Sequence, residues 1–379
     1  MSTLKVDAIR HNSATSDAIT THSDGTASAK IADVGGSQLS NRNLQVNGAM
    51  VIAQKATTDT GSEGIATVDR FGLSTGGEDE DPTQAQVDVA SGTTPYSLGF
   101  RKAYKITNGN QTSGAGADDR AIVHTTYESQ DIANSGWNYT SSTGFITLSY
   151  WAKSSVAQTF YLALTTHDGS SYRYATPITF TSADTWTKFT HKIPGNSNLQ
   201  FDQDSGRGLQ MYWTLFRGTN TTDNSFTINQ WAAYNSSIRY PDITSTWYTT
   251  NDATFELTGV QFEVGDTPTS FEHRTYADDL RRCQRYYEEQ YFMDDAGGTY
   301  IRGPVYWKVE KRAAGSPIVH AKRPDGTGSN TANKLYQASG ERDGQCFYSW
   351  TGGTMVFNTG TFNSNQDTIG RVSVDVGDF

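Results

Sequence analysis

Between residues 145 and 264 apolar and polar positions alternate with a period of two, in runs separated by turn-forming Gly, Asn and Asp. In the run 146–153, Ile146, Leu148, Tyr150 and Ala152 share one face, and Thr147, Ser149, Trp151 and Lys153 share the other. Trp151 therefore belongs to the polar face. The same alternation recurs at Phe160, Leu162 and Leu164, and at Leu209, Met211, Trp213 and Leu215. Phe255 and Leu257 stay on one face with Val260, Phe262 and Val264 only if Gly259 is the extra residue of a β-bulge. Strands in this arrangement predict an all-β sandwich.

One helix interrupts the pattern, predicted over 276–289. Asp278 and Asp279 suit its first turn, where the helix dipole favours negative charge, and Leu280, Cys283 and Tyr287 form an apolar stripe at i, i+3 and i+7. Arg281, Arg282 and Arg285 occupy the wetter face. The stripe needs a partner, either the chain's own sandwich or a symmetry mate. Strand character returns at 300–309, 317–321, 345–350, 354–358 and 371–376. Residues 1–45 carry only scattered apolar positions such as Leu4, Val6, Ile9, Ile31 and Val34, too few for a core of their own, so they are expected to order against another chain or copy. The chain thus divides into an N-terminal segment 1–45, a sandwich 46–275, a short connector helix 276–290 and a C-terminal β domain 291–379.

Composition narrows the function classes. A length of 379 residues suits two or three domains, and 12% aromatics beside only 35% apolar residues fit half-buried strands better than disorder. The net charge of −10 argues against a surface built to neutralise nucleic-acid phosphates. Neither a secretory signal nor an apolar run long enough to span a membrane is visible, so export by the usual signal and membrane insertion are not expected. Two cysteines, Cys283 and Cys346, are too few for a disulfide scaffold, although one bridge between them stays open.

Catalytic signatures are weak throughout. The seven histidines lack zinc spacing, and His124 and His191 read as ordinary strand residues. Glu78-Asp79-Glu80-Asp81, between Gly76-Gly77 and Pro82, reads as a solvated acidic loop in preference to a calcium site. Gly114-Ala115-Gly116 lacks the flanking strand and helix of a phosphate-binding loop. Asp and Glu are abundant enough to offer glycosidase pairs on paper, but nothing selects one. Aromatics are the most promising surface chemistry, because Tyr and Trp stack on sugar rings while their OH and NH groups hydrogen-bond. Trp151, Tyr161 and Tyr212 fall opposite the core-facing positions and would line one exposed sheet face; the alternative is that loops or neighbouring subunits cover them. Tyr300, Trp307 and Trp350 compete for the same role in the C-terminal domain.

Several separated motifs carry a family resemblance. The opening Met1-Ser2-Thr3-Leu4-Lys5-Val6-Asp7-Ala8-Ile9-Arg10 with Asp24-Gly25-Thr26, the segment Asn41-Arg42-Asn43-Leu44-Gln45-Val46-Asn47-Gly48-Ala49-Met50, and Thr147-Leu148-Ser149-Tyr150-Trp151-Ala152-Lys153-Ser154-Ser155 come first. Gly259-Val260-Gln261-Phe262-Glu263-Val264-Gly265 follows, leading through Pro268-Thr269-Ser270-Phe271-Glu272-His273-Arg274 to Leu280-Arg281-Arg282-Cys283-Gln284-Arg285-Tyr286-Tyr287. Together they resemble tail-fibre and virion structural proteins of bacteriophages that infect marine bacteria, cyanobacteria especially. The resemblance covers most of residues 1–290; beyond it only Lys311-Arg312-Ala313-Ala314-Gly315-Ser316-Pro317 is loosely similar.

The resemblance implies a central jelly roll similar to carbohydrate-binding modules, a fibre-like homotrimer, and a tail fibre that contacts host-surface glycan for adsorption. The N-terminal segment would attach to tail adaptor, nozzle or baseplate proteins, and the chain, made in the host bacterial cytoplasm, would end in the virion tail. No catalytic residue, cofactor or metal is implied, and Ala49 stands where related modules carry an acid of a structural calcium site. The alternatives are a virion-attached polysaccharide depolymerase and a purely architectural head fibre or tail adaptor.

Overall fold

A computed structural model describes residues 41–294 continuously, together with 8–9, 19–23, 27–29, 300–306, 308–312, 318–322, 329–332, 352–358 and 368–375. Near the N-terminus β1 (Ala8–Ile9), β2 (Ile19–Thr21) and β3 (Ala27–Ala29) pair in order as an antiparallel sheet. The central region begins with β4 (Thr58–Thr60), β5 (Gly72–Gly76), β6 (Thr83–Asp88), β7 (Lys102–Thr107), β8 (Arg120–Glu128) and β9 (Phe145–Ser154). It continues with β10 (Thr159–Thr166), β11 (Tyr172–Thr179), β12 (Thr187–Pro194), β13 (Arg207–Arg217), β14 (Trp231–Ala233) and β15 (Thr254–Val264).

These strands form two six-stranded antiparallel sheets, β14-β11-β10-β13-β8-β5 and β12-β9-β15-β7-β6-β4. The chain passes repeatedly from one sheet to the other, as in a jelly roll, so the fold is the all-β sandwich that the alternation predicts. The alternating positions explain why the sheets face each other. Ile146, Leu148, Tyr150 and Ala152 of β9, Phe160, Leu162 and Leu164 of β10, and Leu209, Met211, Trp213 and Leu215 of β13 are all fully buried in one core. Between Thr258 and Gln261 the pairing of β15 with β9 slips by one residue, and Gly259 sits there with φ +63°. A side chain at this position would collide with the ring of Phe100. The bulge returns Val260 and Phe262 to the core side, where both are 0% exposed.

Of the four α-helices among the described residues, α1 (Thr94–Ser97), α2 (Ser129–Ala133) and α3 (Thr246–Thr249) are single turns. The fourth, α4 (Tyr276–Gln284), is the connector. It starts where expected, with Thr275 capping the amide of Asp278 and both aspartates in the first turn. It stops earlier than the stripe implied, at Gln284, and Tyr287 is the first residue of β16 (Tyr287–Asp294) instead of the helix's last apolar position.

The physical reason is Glu128, a carboxylate with no solvent exposure at the end of β8. Arg285 donates to both of its oxygens at 2.6 and 2.7 Å, and the hydroxyl of Tyr286 donates at 2.7 Å. Leaving the helix lets two successive residues satisfy one buried charge. Cys283 is a fully buried free thiol beside Asp69 and Arg70, and Leu280 and Tyr287 are half-buried. The stripe's partner is therefore the chain's own sandwich, and the helix supplies no argument for a symmetry mate.

The sandwich also begins before residue 46. Asn43 is buried, donates to the carbonyl of Val260 and accepts from the amide of Phe262, while Arg42 pairs with the fully buried Glu263. After β16 come β17 (Tyr300–Tyr306), β18 (Ile318–Lys322), β19 (Ser329–Ala332), β20 (Gly352–Asn358) and β21 (Thr368–Asp375). They pair as β16-β21-β18-β19 and β17-β20. The strand expected over 345–350 lies outside the described residues.

Candidate functional site

The outer face of the β14-to-β5 sheet carries a cleft of about 460 Å³. Its floor follows from strand register. Tyr212 of β13 lies opposite Ala163 on one side and His124 on the other, and Ala163 in turn faces Ala175. Two alanines and Gly72, which faces His124, keep this row low. A side chain at Gly72 would overlap the His124 ring. The adjoining row runs Arg173, Thr165, Gln210 and Thr126.

A wall rises from the segment after β14. Tyr240 forms an isolated bridge with Thr222, and its carbonyl accepts from Asp223, so the loop folds back over the sheet. Tyr240 packs on Ala163 and Ala175, with its ring 6.5 Å from that of Tyr161. Tyr234 and Arg239 complete this side.

Tyrosine rings and guanidinium groups dominate the lining. The Arg173 guanidinium lies 4.3 Å from the Tyr240 ring, 5.1 Å from Tyr212 and 5.8 Å from Tyr234. It donates to the Tyr240 hydroxyl and, at 3.1 Å, to Thr165 Oγ1. The hydroxyl of Tyr212 donates to Gln210 Oε1 at 2.5 Å, which also accepts from Arg207. Burial raises the Tyr212 phenol to about 12, partly opposed by Arg173, so it remains a neutral hydroxyl. Burial, and then Asp242, also raise Tyr161. Burial lowers Arg217, and Arg239 beside it lowers it further. Among the described residues no Asp or Glu lines the cleft, and the oxygens of Asp242 are occupied by Thr222 and Asn224.

Of the aromatics expected to share one face, Tyr161 and Tyr212 lie together around Tyr240. Trp151 does not join them. It is on β9, in the opposite sheet, where it packs with Trp186 and Phe271 around Phe100 and Val89. Period two separates inward from outward positions but does not say which sheet a strand enters. Tyr300 lies in β17, its side chain outside the described residues, as are Trp307, Trp350 and Cys346.

Sequence reasoning missed Arg173, Tyr234, Arg239 and Tyr240. Arg173 had a signal, since alternation over 172–179 turns Tyr174 and Ile178 inward and Arg173 and Ala175 outward. The residues of the wall sit in a loop without periodicity and had none.

Other proposed chemistry finds no site. Among the described residues no group of three or more His, Cys, Asp or Glu is placed to hold a metal ion. Asp79 accepts from Ser113 and Glu80 from the amide of Asn110, so these two acids cap the neighbouring loop. His191 Nε2 and the Tyr150 hydroxyl share a hydrogen bond at 3.1 Å, and burial pushes the ring down to about 4, consistent with a neutral packing residue.

No protein-family model matches the sequence, and no curated protein matches it. Solved structures with a related arrangement include the enzymatically active domain of tailspike protein 4 of bacteriophage CBA120, at TM-score 0.31 and 10% identity over 59% of this chain. The chain spans 21% of that tailspike's length. Another is the family 11 carbohydrate-binding module of Clostridium thermocellum, solved with a β-1,3-1,4-mixed-linked tetrasaccharide, at TM-score 0.24 and 10% identity over 57% of this chain and 98% of the module. Likenesses this distant carry no functional argument, which has to come from the cleft.

Proposed function

We propose that the cleft binds a glycan of the host surface and that the chain is a tail fibre of a bacteriophage virion, assembled as a homotrimer and attached to tail adaptor, nozzle or baseplate proteins through its N-terminal segment. The observation that carries the binding reading is the cluster of Tyr212, Tyr234 and Tyr240 beside Arg and Gln donors in one open cleft, with Tyr161 packed against Tyr240 at its edge. Rings with a polar tip suit the apolar face and hydroxyl edge of a sugar, and donors fixed by their neighbours suit its oxygens. The sheet floor holds Tyr212, Gln210 and Arg173 on strands, and Tyr240 of the wall is pinned to them by Arg173, which limits the ordering cost of binding. The tail-fibre assignment is supported by the resemblance of the segments in 1–290.

We read the protein as a binder in preference to a hydrolase. Glycoside hydrolysis usually needs two carboxylates across the scissile bond, and among the described residues the lining of this cleft supplies none. Incubation of the purified chain with host envelope polysaccharide tests both parts. Saturable binding without release of oligosaccharide is expected. Release that disappears on substitution of a single carboxylate would make it a depolymerase, and absence of any glycan binding would leave an architectural head fibre or adaptor.

A further inference from the structure

Resting on the reading of this cleft as a glycan site, we propose that its ligand is an anionic saccharide, a chain bearing carboxylate or sulfate groups. Four arginines from separate segments, Arg120, Arg173, Arg217 and Arg239, converge on one cleft of a chain whose net charge is −10. Among the described residues, Arg120 alone of the four is paired with a carboxylate, Glu63 at 3.2 Å. Arg217 has the Thr221 hydroxyl and Arg239 the Ser236 carbonyl, neutral acceptors that leave their charges uncompensated.

Arg173 is the strongest indication. It is 4% exposed, and its Nε has no hydrogen-bond partner although it lines the cleft. Tyrosine rings soften the cost of burying this cation but do not neutralise it. A purely structural role would explain Arg173 among its rings; it would not explain two further guanidinium groups in the same cleft, Arg217 at the end of β13 and Arg239 on the wall, without a carboxylate partner among the described residues. Guanidinium forks match carboxylate and sulfate oxygens, and an anion between them would relieve the mutual repulsion that Arg217 and Arg239 now experience.

The experiment titrates the full chain with polygalacturonate, a sulfated galactan and neutral dextran, with polyglutamate as a non-sugar polyanion, at two salt concentrations. The expected result is saturable binding of one or both charged glycans, at least about tenfold tighter than dextran or polyglutamate and weaker in high salt. Which glycan binds separates carboxylate from sulfate as the recognised group. Arg217→Gln and Arg239→Gln, both at half-exposed positions, should each weaken that binding by about tenfold with unchanged thermal melts. Arg173→Gln should do the same if it folds, but the inference does not depend on it. Dextran binding as tightly as the charged glycans, with Tyr212→Ala weakening it and the arginine variants leaving it intact, would overturn the anionic ligand and keep the glycan site. Equal binding of polyglutamate, insensitive to Tyr212→Ala, would overturn both, as would no binding of any polymer.

Discussion

Tyr212 and Trp151 look alike in the sequence, each an aromatic at an outward position of a strand, yet they sit on opposite sheets. Tyr212 lies in the cleft, so Tyr212→Ala is expected to weaken glycan binding several-fold, a loss of about 1 kcal/mol for one stacking contact. Trp151 packs with Trp186 and Phe271 away from it, so Trp151→Ala should lower the melting temperature without changing affinity. Titration calorimetry and thermal melts on both variants check the pair; an affinity loss in the Trp151 variant alone would move the site to the other sheet. His191 gives a pH signature. Burial holds its ring near 4, below the 6.5 of a free imidazole, so the unfolded chain takes up the proton first. Stability from this residue is intact above pH 6.5 and is lost as the pH falls toward 4. The ring is only half-buried, so we expect about 1–2 kcal/mol from a shift worth about 1.4 kcal/mol per pH unit. Denaturant unfolding of the parent and His191→Gln at pH 7 and pH 4.5 measures it, and an identical pH slope in the two proteins would remove the assignment.

Strands were more legible than the helix because their signal is redundant. Each inward position of β9, β10, β13 and β15 is supported by its i±2 neighbours, and even the bulge at Gly259 was required by the apolar faces on either side of it. The end of α4 has no such support. Three residues at helical spacing were compatible with a helix through 289, but the chain breaks out at Arg285 because of a carboxylate more than 150 positions earlier, a separation no local pattern encodes. The meeting of the four arginines in the cleft was hidden for the same reason, since, although alternation turns Arg173 outward, their convergence depends on sheet order and on the loop after β14. Element stability should therefore centre on Glu128 and not on the apolar stripe. Glu128→Ala leaves the partly buried Arg285 unpaired and is expected to cost about 3–5 kcal/mol. Leu280→Ala, at a half-buried position, should cost about 1 kcal/mol, less than the 2–5 of a fully buried leucine. Chemical denaturation ranks the two, and the reverse order would show that the helix is held by its stripe.

At the scale of the molecule the question is how the N-terminal segment relates to folding and assembly. The sandwich does not need another chain to cover the buried side of α4, because Asp279, Cys283 and Gln284 are already buried there. The case for a trimer therefore rests on residues 1–40 and on the family resemblance. Residues 41–45 belong with the sandwich: Asn43 bonds to β15 through both ends of its side-chain amide, Gln45 is 1% exposed, and Arg274 donates to the carbonyls of Asn43 and Gln45. Removing residues 1–45, which the sequence alone presented as a separable anchor, should strip polar partners from buried groups at a cost of about 1–3 kcal/mol for each one left unsatisfied. Removing residues 1–40 should leave those bonds in place. Two truncations beginning at Asn41 and Val46 separate the roles. The first is expected to melt with the parent, to sediment as a smaller species than the full-length chain, and to be missing from purified virions. The second should melt well below the first. Equal melts of both truncations would place 41–45 outside the sandwich's stability, whereas a full-length chain sedimenting as a monomer at micromolar concentration would remove the trimer, and with it the fibre-like assembly, while leaving the cleft and its glycan unaffected.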